Sequence, residues 1–298
     1  MLLPHGYIEN ITDIKRLVEY NNIIKVFYFS CVYDKNKSMA KLSPIERYYN
    51  KFNEDHRLLT RHGQVEYTTS MKYIHDFIPG DKKIRILDIG AGTGRYSCAL
   101  SDEGHSVTAV ELVKHNIEVM EAKHKNVNIW PGNAMDLSFL DDETFDLTLI
   151  FGPLYHLHSE EERLKAFSEA KRVTKRGGYI FAAYVMNEYS ILTYLFKQNH
   201  ARECIESNLV TEDFHTKESS DELYTYLRLE DINRLNEHTG LKRIKIIAAD
   251  GPSDYMRREL NAMDEETFKI FIDYHLSVCE RQDLIGASSH TVDILQKI

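Results

Sequence analysis

The run Ile84-Arg85-Ile86-Leu87-Asp88-Ile89-Gly90-Ala91-Gly92-Thr93-Gly94 constrains this chain more than any other. Its first half reads as a strand buried on both faces, as in a parallel sheet. The glycines after it let the backbone turn tightly and approach a ligand without a side-chain clash. A helix opening at Arg95 would aim its free N–H groups into the same crevice. Open α/β sheets bind ligands beyond the carboxyl ends of their strands, where the strand order reverses. Glu111 lies 17 residues after Gly94, at the end of the next apolar run. A carboxylate there can accept both hydroxyls of a ribose through charge-assisted hydrogen bonds. The competing reading of Glu111 is a solvated surface side chain.

The surrounding pattern alternates strand and helix. Strands are expected at Ile84–Ile89, Ser106–Val110, Val127–Trp130, Leu147–Phe151, Tyr179–Val185, Leu241–Ala249 and Thr291–Leu295. Helices are expected at Arg95–Asp102, Val113–Lys123, from the capping box at Ser159-Glu160-Glu161-Glu162 to Val173, at Leu229–His238 and at Asp264–Gln282. This β-α rhythm predicts an α/β fold, a mainly parallel sheet with helices on both faces. Upstream, Ser43-Pro44-Ile45-Glu46 carries a helix-start signature, and a second helix is expected over Val65–Phe77. The chain therefore divides into an appendage (1–42), a helical cap (43–80) and a core (81–298). Residues 187–228 break the rhythm after the fifth strand. That insertion stands where a cover over substrate would stand.

Composition removes several classes. The formal net charge of −9 argues against a nucleic-acid partner, because binding phosphates relies on Lys and Arg. The cysteines Cys31, Cys98, Cys204 and Cys279 form no CxxC pair, and His156 with His158 lacks companion ligands, so no metal is expected. Met1-Leu2-Leu3-Pro4-His5 has no signal-peptide pattern, and the apolar run Ile23–Tyr33, interrupted by Lys25, is too short to span a bilayer. A cytoplasmic protein, monomeric or homodimeric, is the expectation.

The loop itself discriminates between cofactors. Nicotinamide and flavin folds use G-x-G-x-x-G. Here the spacing is G-x-G-x-G, and Arg95 stands where the third glycine would give a pyrophosphate room. Asp88, just before the loop, would face a pyrophosphate poorly but suits a cofactor carrying an ammonium group. Both points favour S-adenosylmethionine over NAD.

With these residues assembled, the chain resembles the class I S-adenosylmethionine-dependent methyltransferases. The matching stretches are Leu87–Gly94, Val110-Glu111-Leu112, Gly132-Asn133-Ala134-Met135-Asp136-Leu137, Phe145-Asp146-Leu147 and Lys175-Arg176-Gly177-Gly178, in the family's order and spacing. The resemblance implies a seven-stranded, Rossmann-like sheet whose last strand is antiparallel. It implies methyl transfer from S-adenosylmethionine, leaving S-adenosylhomocysteine. It places Asp88, Gly90, Ala91, Gly92, Thr93 and Gly94 around the methionine part, Glu111 and Leu112 at the ribose, and Asn133, Ala134 and Met135 beside the adenine, with Phe151 near by. Many members have Asp where this chain has Asn133, whose carbonyl oxygen can still accept a hydrogen bond without charge assistance. Gly152-Pro153-Leu154-Tyr155-His156 is similar to a stretch in a bacterial, small-molecule-type subgroup, and Arg61-His62-Gly63-Gln64-Val65-Glu66-Tyr67 looks like that subgroup's cap.

Methyl transfer asks mainly for alignment, and an O–H or N–H acceptor can also ask for a base. His156 and His62 are the candidate bases, with His56 behind them. Tyr155, His156 and Tyr184 are candidate substrate contacts near strand ends, and Arg61 is a candidate partner for the cofactor carboxylate. Tyr49 and Tyr73 fall at helical spacing and read as core, with closure over the cofactor as the alternative. A small-molecule methyltransferase is the leading reading. An enzyme acting on RNA or protein, with an open cleft and basic rim, is the second. A non-catalytic S-adenosylmethionine-binding module, with its acceptor pocket blocked, is the third.

Overall fold

A computed structural model describes residues 43–50, 57–80, 82–220 and 222–298. The expected appendage and His56 lie outside the described residues.

The chain enters through α1 (Pro44–Tyr49), held by a full capping box in which Ser43 Oγ accepts the Glu46 amide and the Glu46 carboxylate accepts the Ser43 amide. Helix α2 (Arg61–Asp76) begins one turn earlier than expected, because Thr60 Oγ1 caps the Gly63 amide at 3.2 Å. Arg61-His62-Gly63-Gln64 is thus the helix's first turn.

The core alternates as its pattern predicts: β1 (Arg85–Ile89), α3 (Arg95–Asp102), β2 (Ser106–Glu111), α4 (Lys114–Glu121), β3 (Val127–Pro131), β4 (Phe145–Ile150), α5 (Glu160–Val173) and β5 (Thr174–Val185). A single 3₁₀ turn, Pro153–His156, follows β4. The seven strands lie in the order β3-β2-β1-β4-β5-β7-β6. Strands β1 to β5 pair in parallel, whereas β7 (His290–Gln296) runs antiparallel between β5 and β6 (Lys242–Ala248). Ile86, Leu87 and Ile89 of β1 are buried, as a central parallel strand requires. The order reverses between β1 and β4, which opens a crevice above their carboxyl ends.

Two details differ from expectation. Only half of the box at Ser159 forms: Ser159 Oγ caps the Glu162 amide, but the Glu162 carboxylate takes the His158 amide, one residue earlier. Strand β5 starts five residues early, because Thr174 already pairs with Phe145 before a bulge leads to the Leu147–Tyr179 pairing.

After β5, α6 (Asn187–Ser190) runs into a π-helical turn, Ile191–Lys197, and then α7 (Ala201–Glu206). Ile191, Tyr194, Leu195, Cys204 and Val210 give this segment a small core of its own. Its return strap is tied to the post-β4 turn by the Thr225 amide on the Tyr155 carbonyl (2.8 Å). Arg163 adds bonds to the Leu157 carbonyl and Glu218. Helix α8 (Leu229–Thr239) leads into β6. Helices α9 (Arg257–Ala262), α10 (Glu265–Val278) and α11 (Gln282–Ile285) separate β6 from β7. Val65, Leu260 and Phe268 bind α2 to α9 and α10. Among the described residues, no helix is long and apolar enough to cross a membrane.

Candidate functional site

The loops after β1 and β4 meet at the reversal. Gly90 has φ +72°, and a Cβ there would lie 2.5 Å from Pro153 Cδ. Gly94, with φ +83°, opens α3 and stands where a Cβ would lie 2.5 Å from Met120 Cγ. Bare backbone is required at both positions, once for the approach of two loops and once for the packing of α4 against the sheet's edge.

Above these loops lies a crevice of about 350 Å³, lined by Asp88, Gly90, Ala91, Gly92, Thr93, Glu111, Leu112, Asn133, Ala134, Met135 and Phe151. That size is ordinary for a small-molecule site. Two buried carboxylates stand in its wall. Asp88 accepts a 2.6 Å hydrogen bond from Ser97 Oγ. Burial pushes its carboxyl up to about 6, against the Ser97 bond and with the Glu111 charge adding to the rise. Glu111 accepts the Gly92 amide at 2.7 Å on Oε2 and the Val113 amide at 2.8 Å on Oε1. Burial raises its pKa too, against the lowering pull of these amides. Asn133 Oδ1 takes the Met135 amide at 2.9 Å, so it first shapes its own loop.

The other end of the crevice is aromatic. Ser43, Pro44, Ile45 and Tyr49 of the cap close over Tyr155, His156 and Leu157 of the post-β4 turn, with Ser220 and Glu222 from the insertion. Cap and insertion therefore both wall the site.

Residues 87–182 match the family model described as a methyltransferase domain. A demethylmenaquinone methyltransferase of Renibacterium salmoninarum is 33% identical over 106 residues, 36% of this chain and 42% of that protein. A cypemycin N-terminal methyltransferase of a Streptomyces species is 33% identical over 99 residues, 32% of this chain and 40% of that protein. These matches span about two fifths of the relatives' length. Among solved structures, an S-adenosylmethionine-dependent methyltransferase of Methanosarcina mazei superposes with a TM-score of 0.51 at 16% identity, over 76% of this chain and 97% of that one. A protein of Thermotoga maritima described as a possible histamine N-methyltransferase gives 0.51 at 20% identity, over 84% and 98%. Residues 87–182 are thus similar to a methyltransferase domain, on a fold shared with S-adenosylmethionine-dependent methyltransferases.

The crevice fits S-adenosylmethionine on its own observations. Asn116 is buried beside Glu111, and its Oδ1 has no hydrogen-bond partner among the described residues. An orphaned acceptor and a carboxylate side by side suit the hydroxyls of a ribose. Asp88, buried with a hydroxyl as partner, suits an ammonium group. Leu112 is 49% exposed at the crevice wall, where an apolar side chain can cover a purine face. Asn116 escaped the sequence reading because a polar residue early in a helix reads as solvated. Its position five residues after Glu111 was the available signal.

Other candidates lie elsewhere. Gly94 stands behind the loop, against Met120 and Cys98. Arg61 does not reach the crevice: it pairs with Glu265 at 2.6 Å and lies over the Phe268 ring, because α2 begins a turn early and turns it toward α10. His62 sits in the same turn near Asp254 and Arg257, and burial with the Arg257 charge holds it down at about 4. Tyr184 is 1% exposed within β5, where strand alternation sends it into the core. Tyr73 is core as well, and its hydroxyl donates to Glu280. Tyr155 and His156 do line the crevice. Tyr155 Oη donates to the Phe151 carbonyl at 2.8 Å.

Sequence reasoning also missed Arg57, a crevice residue whose guanidinium grips Glu66. Glu66 lies 3.7 Å from His290 Nδ1, which lies 2.7 Å from Asp250. The three groups Glu66, Asp250 and His290 are close enough to share an ion. Two cations already balance the two carboxylates: burial alone would lower His290, but Glu66 and Asp250 push it up to about 9. This network fastens the cap to the first residue of β7.

Proposed function

We propose that this protein transfers a methyl group from S-adenosylmethionine to a small molecule enclosed between the cap and the insertion. The observation that carries this reading is the continuity of one crevice. Its Asp88, Glu111 and Asn116 end suits the cofactor, and its Tyr49, Tyr155 and His156 end suits an acceptor. When bound, S-adenosylmethionine supplies a methyl group on an activated sulfonium.

Glu111 and Asn116 would hold the ribose hydroxyls, Asp88 the ammonium group, and Leu112 with Met135 the purine. Fixing one reactant this way supplies part of the roughly 7–11 kcal/mol available from alignment alone. The acceptor end supports a small substrate rather than RNA. Glu162 and Glu222 stand in its wall, where a phosphate backbone would be repelled. The room at this end speaks against a blocked, non-catalytic module. The demethylmenaquinone methyltransferases among the relatives act, by name, on a small molecule.

Calorimetry is the first test: S-adenosylmethionine and S-adenosylhomocysteine should bind and NAD should not. The reverse order sinks the cofactor reading. A radiolabelled methyl-transfer screen against a metabolite extract then seeks the acceptor, and label appearing only in RNA or protein would overturn the small-molecule assignment.

A further inference from the structure

Arg95 is the first residue of α3, and it goes against the local rules of that position. A helix N-terminus carries the positive end of the macrodipole, so a cation in the first turn is unfavourable there. No acidic side chain stands in that turn to offset it. Helical side chains lean toward the N-terminus, which turns Arg95 back toward the glycine loop, and it lines the crevice. Its guanidinium rests on the ring of Tyr67, from α2, with Cζ 4.5 Å from the ring centroid. Among the described residues no carboxylate pairs with it, and its Nε is buried without a hydrogen-bond partner. Local conflicts of this kind gather at functional sites in natural proteins. Arg57, the other guanidinium in the wall, already holds Glu66 with two hydrogen bonds. Asp88 reaches the same turn of α3, since it accepts the hydroxyl of Ser97, two residues after Arg95. A guanidinium and a carboxylate thus meet the crevice at one helical turn, and among the described residues they do not neutralise each other.

We propose that Arg95 and Asp88 form a clamp for a zwitterion: Arg95 takes the carboxylate of the cofactor's methionine part, and Asp88 its ammonium group. This assignment rests on the cofactor reading above. It gives Arg95 the role expected of Arg61, which is spent on Glu265. The two charged groups of an α-amino acid sit on one carbon, so they need opposite charges side by side in the wall. A guanidinium adds a planar fork of donors that matches the two oxygens of a carboxylate. The bound carboxylate also supplies the negative charge that the start of α3 lacks. Tyr67 is a positioning residue, because its ring supports the guanidinium from the cap side. The cap helix thereby helps to form the cofactor site through Arg95. The clamp makes the crevice select nucleosides that carry an amino-acid tail.

The test uses the full chain and two probes. One is S-adenosylhomocysteine. The other is its decarboxylated counterpart, 5′-(3-aminopropylthio)-5′-deoxyadenosine, which keeps the ammonium group and lacks the carboxylate. Calorimetry should show S-adenosylhomocysteine binding about tenfold tighter or more, the worth of one hydrogen bond between charged groups. Arg95→Met should cost S-adenosylhomocysteine about that factor and cost the amine nothing. Arg95→Lys keeps the charge without the fork and should fall between the two. Tyr67→Leu should narrow the preference, whereas Tyr67→Phe should keep it, because a phenyl face also supports a cation. Narrowing in both Tyr67 variants, or in neither, would overturn the role given to Tyr67. Equal affinities in the native protein, a preference that survives Arg95→Met, or an equal loss of both ligands in that variant would overturn the clamp. The native comparison needs no variant, so it decides even where a substitution prevents folding. Failure of S-adenosylhomocysteine to bind the native protein removes the cofactor reading and the clamp with it, whereas binding without preference removes the clamp alone.

Discussion

Glu111 Oε2 accepts the Gly92 amide at 2.7 Å, so the carboxylate at the end of β2 and the glycine loop after β1 form one hydrogen-bonded unit. The same carboxylate takes the Val113 amide on its other oxygen. It therefore shapes the loop as well as facing the crevice.

Glu111→Ala should weaken S-adenosylhomocysteine binding by about 1.5–3 kcal/mol, the range for hydrogen bonds to a charged group. Calorimetry measures it directly. An unchanged dissociation constant would remove Glu111 from the site.

Asp88 sets binding against stability. Its carboxyl is raised from 3.8 to about 6, so its contribution to stability is full below pH 3.8 and is lost as pH rises through about 6. Near pH 7 that ionised, buried carboxylate costs the ligand-free fold about 3 kcal/mol, and Asp88→Asn should recover part of it. Urea unfolding at pH 7 should show the variant more stable, and calorimetry should show it binding S-adenosylhomocysteine more weakly. The native protein should also bind about tenfold more weakly at pH 5 than at pH 7, as Asp88 loses its charge. A variant both less stable and equally tight in binding would contradict this account.

Alkaline pH should loosen the cap. His290 is raised from 6.5 to about 9, so its stabilising contribution is full below pH 6.5 and is lost as pH climbs through about 9. The loss amounts to about 3 kcal/mol and should appear as a fall in unfolding free energy between pH 7 and 10. His290→Gln should be less stable at pH 7, since breaking a buried ionic network costs roughly 3–5 kcal/mol, and should lack most of the alkaline fall.

Gly90→Ala meets two penalties at once. The left-handed backbone costs about 1–2 kcal/mol for a residue with a Cβ. The new Cβ also overlaps Pro153, and forcing such overlap costs about 1–3 kcal/mol. Denaturant unfolding should show the combined loss, accompanied by a drop in S-adenosylhomocysteine affinity. A neutral substitution would mean that the two loops do not meet as described.

Much of the fold was legible because local rules and global architecture agree in the core. The strand at Ile86–Ile89 is buried on both faces, Gly94 opens α3, and Ser159 and Asp264 cap their helices by side-chain oxygens. The proposed cofactor end of the crevice was legible for the same reason: Asp88, Gly90 and Glu111 are fixed by their position along a strand-loop-helix unit. Arg61, His62 and Tyr184 were not. Thr60 capping shifts the start of α2 by a turn, which swings Arg61 and His62 toward α9 and α10, and strand alternation turns Tyr184 inward.

The sequence by itself determined the sheet, the glycine loop and the carboxylate at the end of β2, because each rests on residues close along the chain and on the short-range sterics of turns, caps and strands. Only the tertiary structure decided what walls the rest of the crevice. Tyr49, His156 and Leu223 meet from the cap, the post-β4 turn and the insertion, and Arg57, Glu66, Asp250 and His290 meet from the cap and both flanks of the β6–β7 segment. Such encounters follow from how separate elements pack, and no spacing along the chain encodes them.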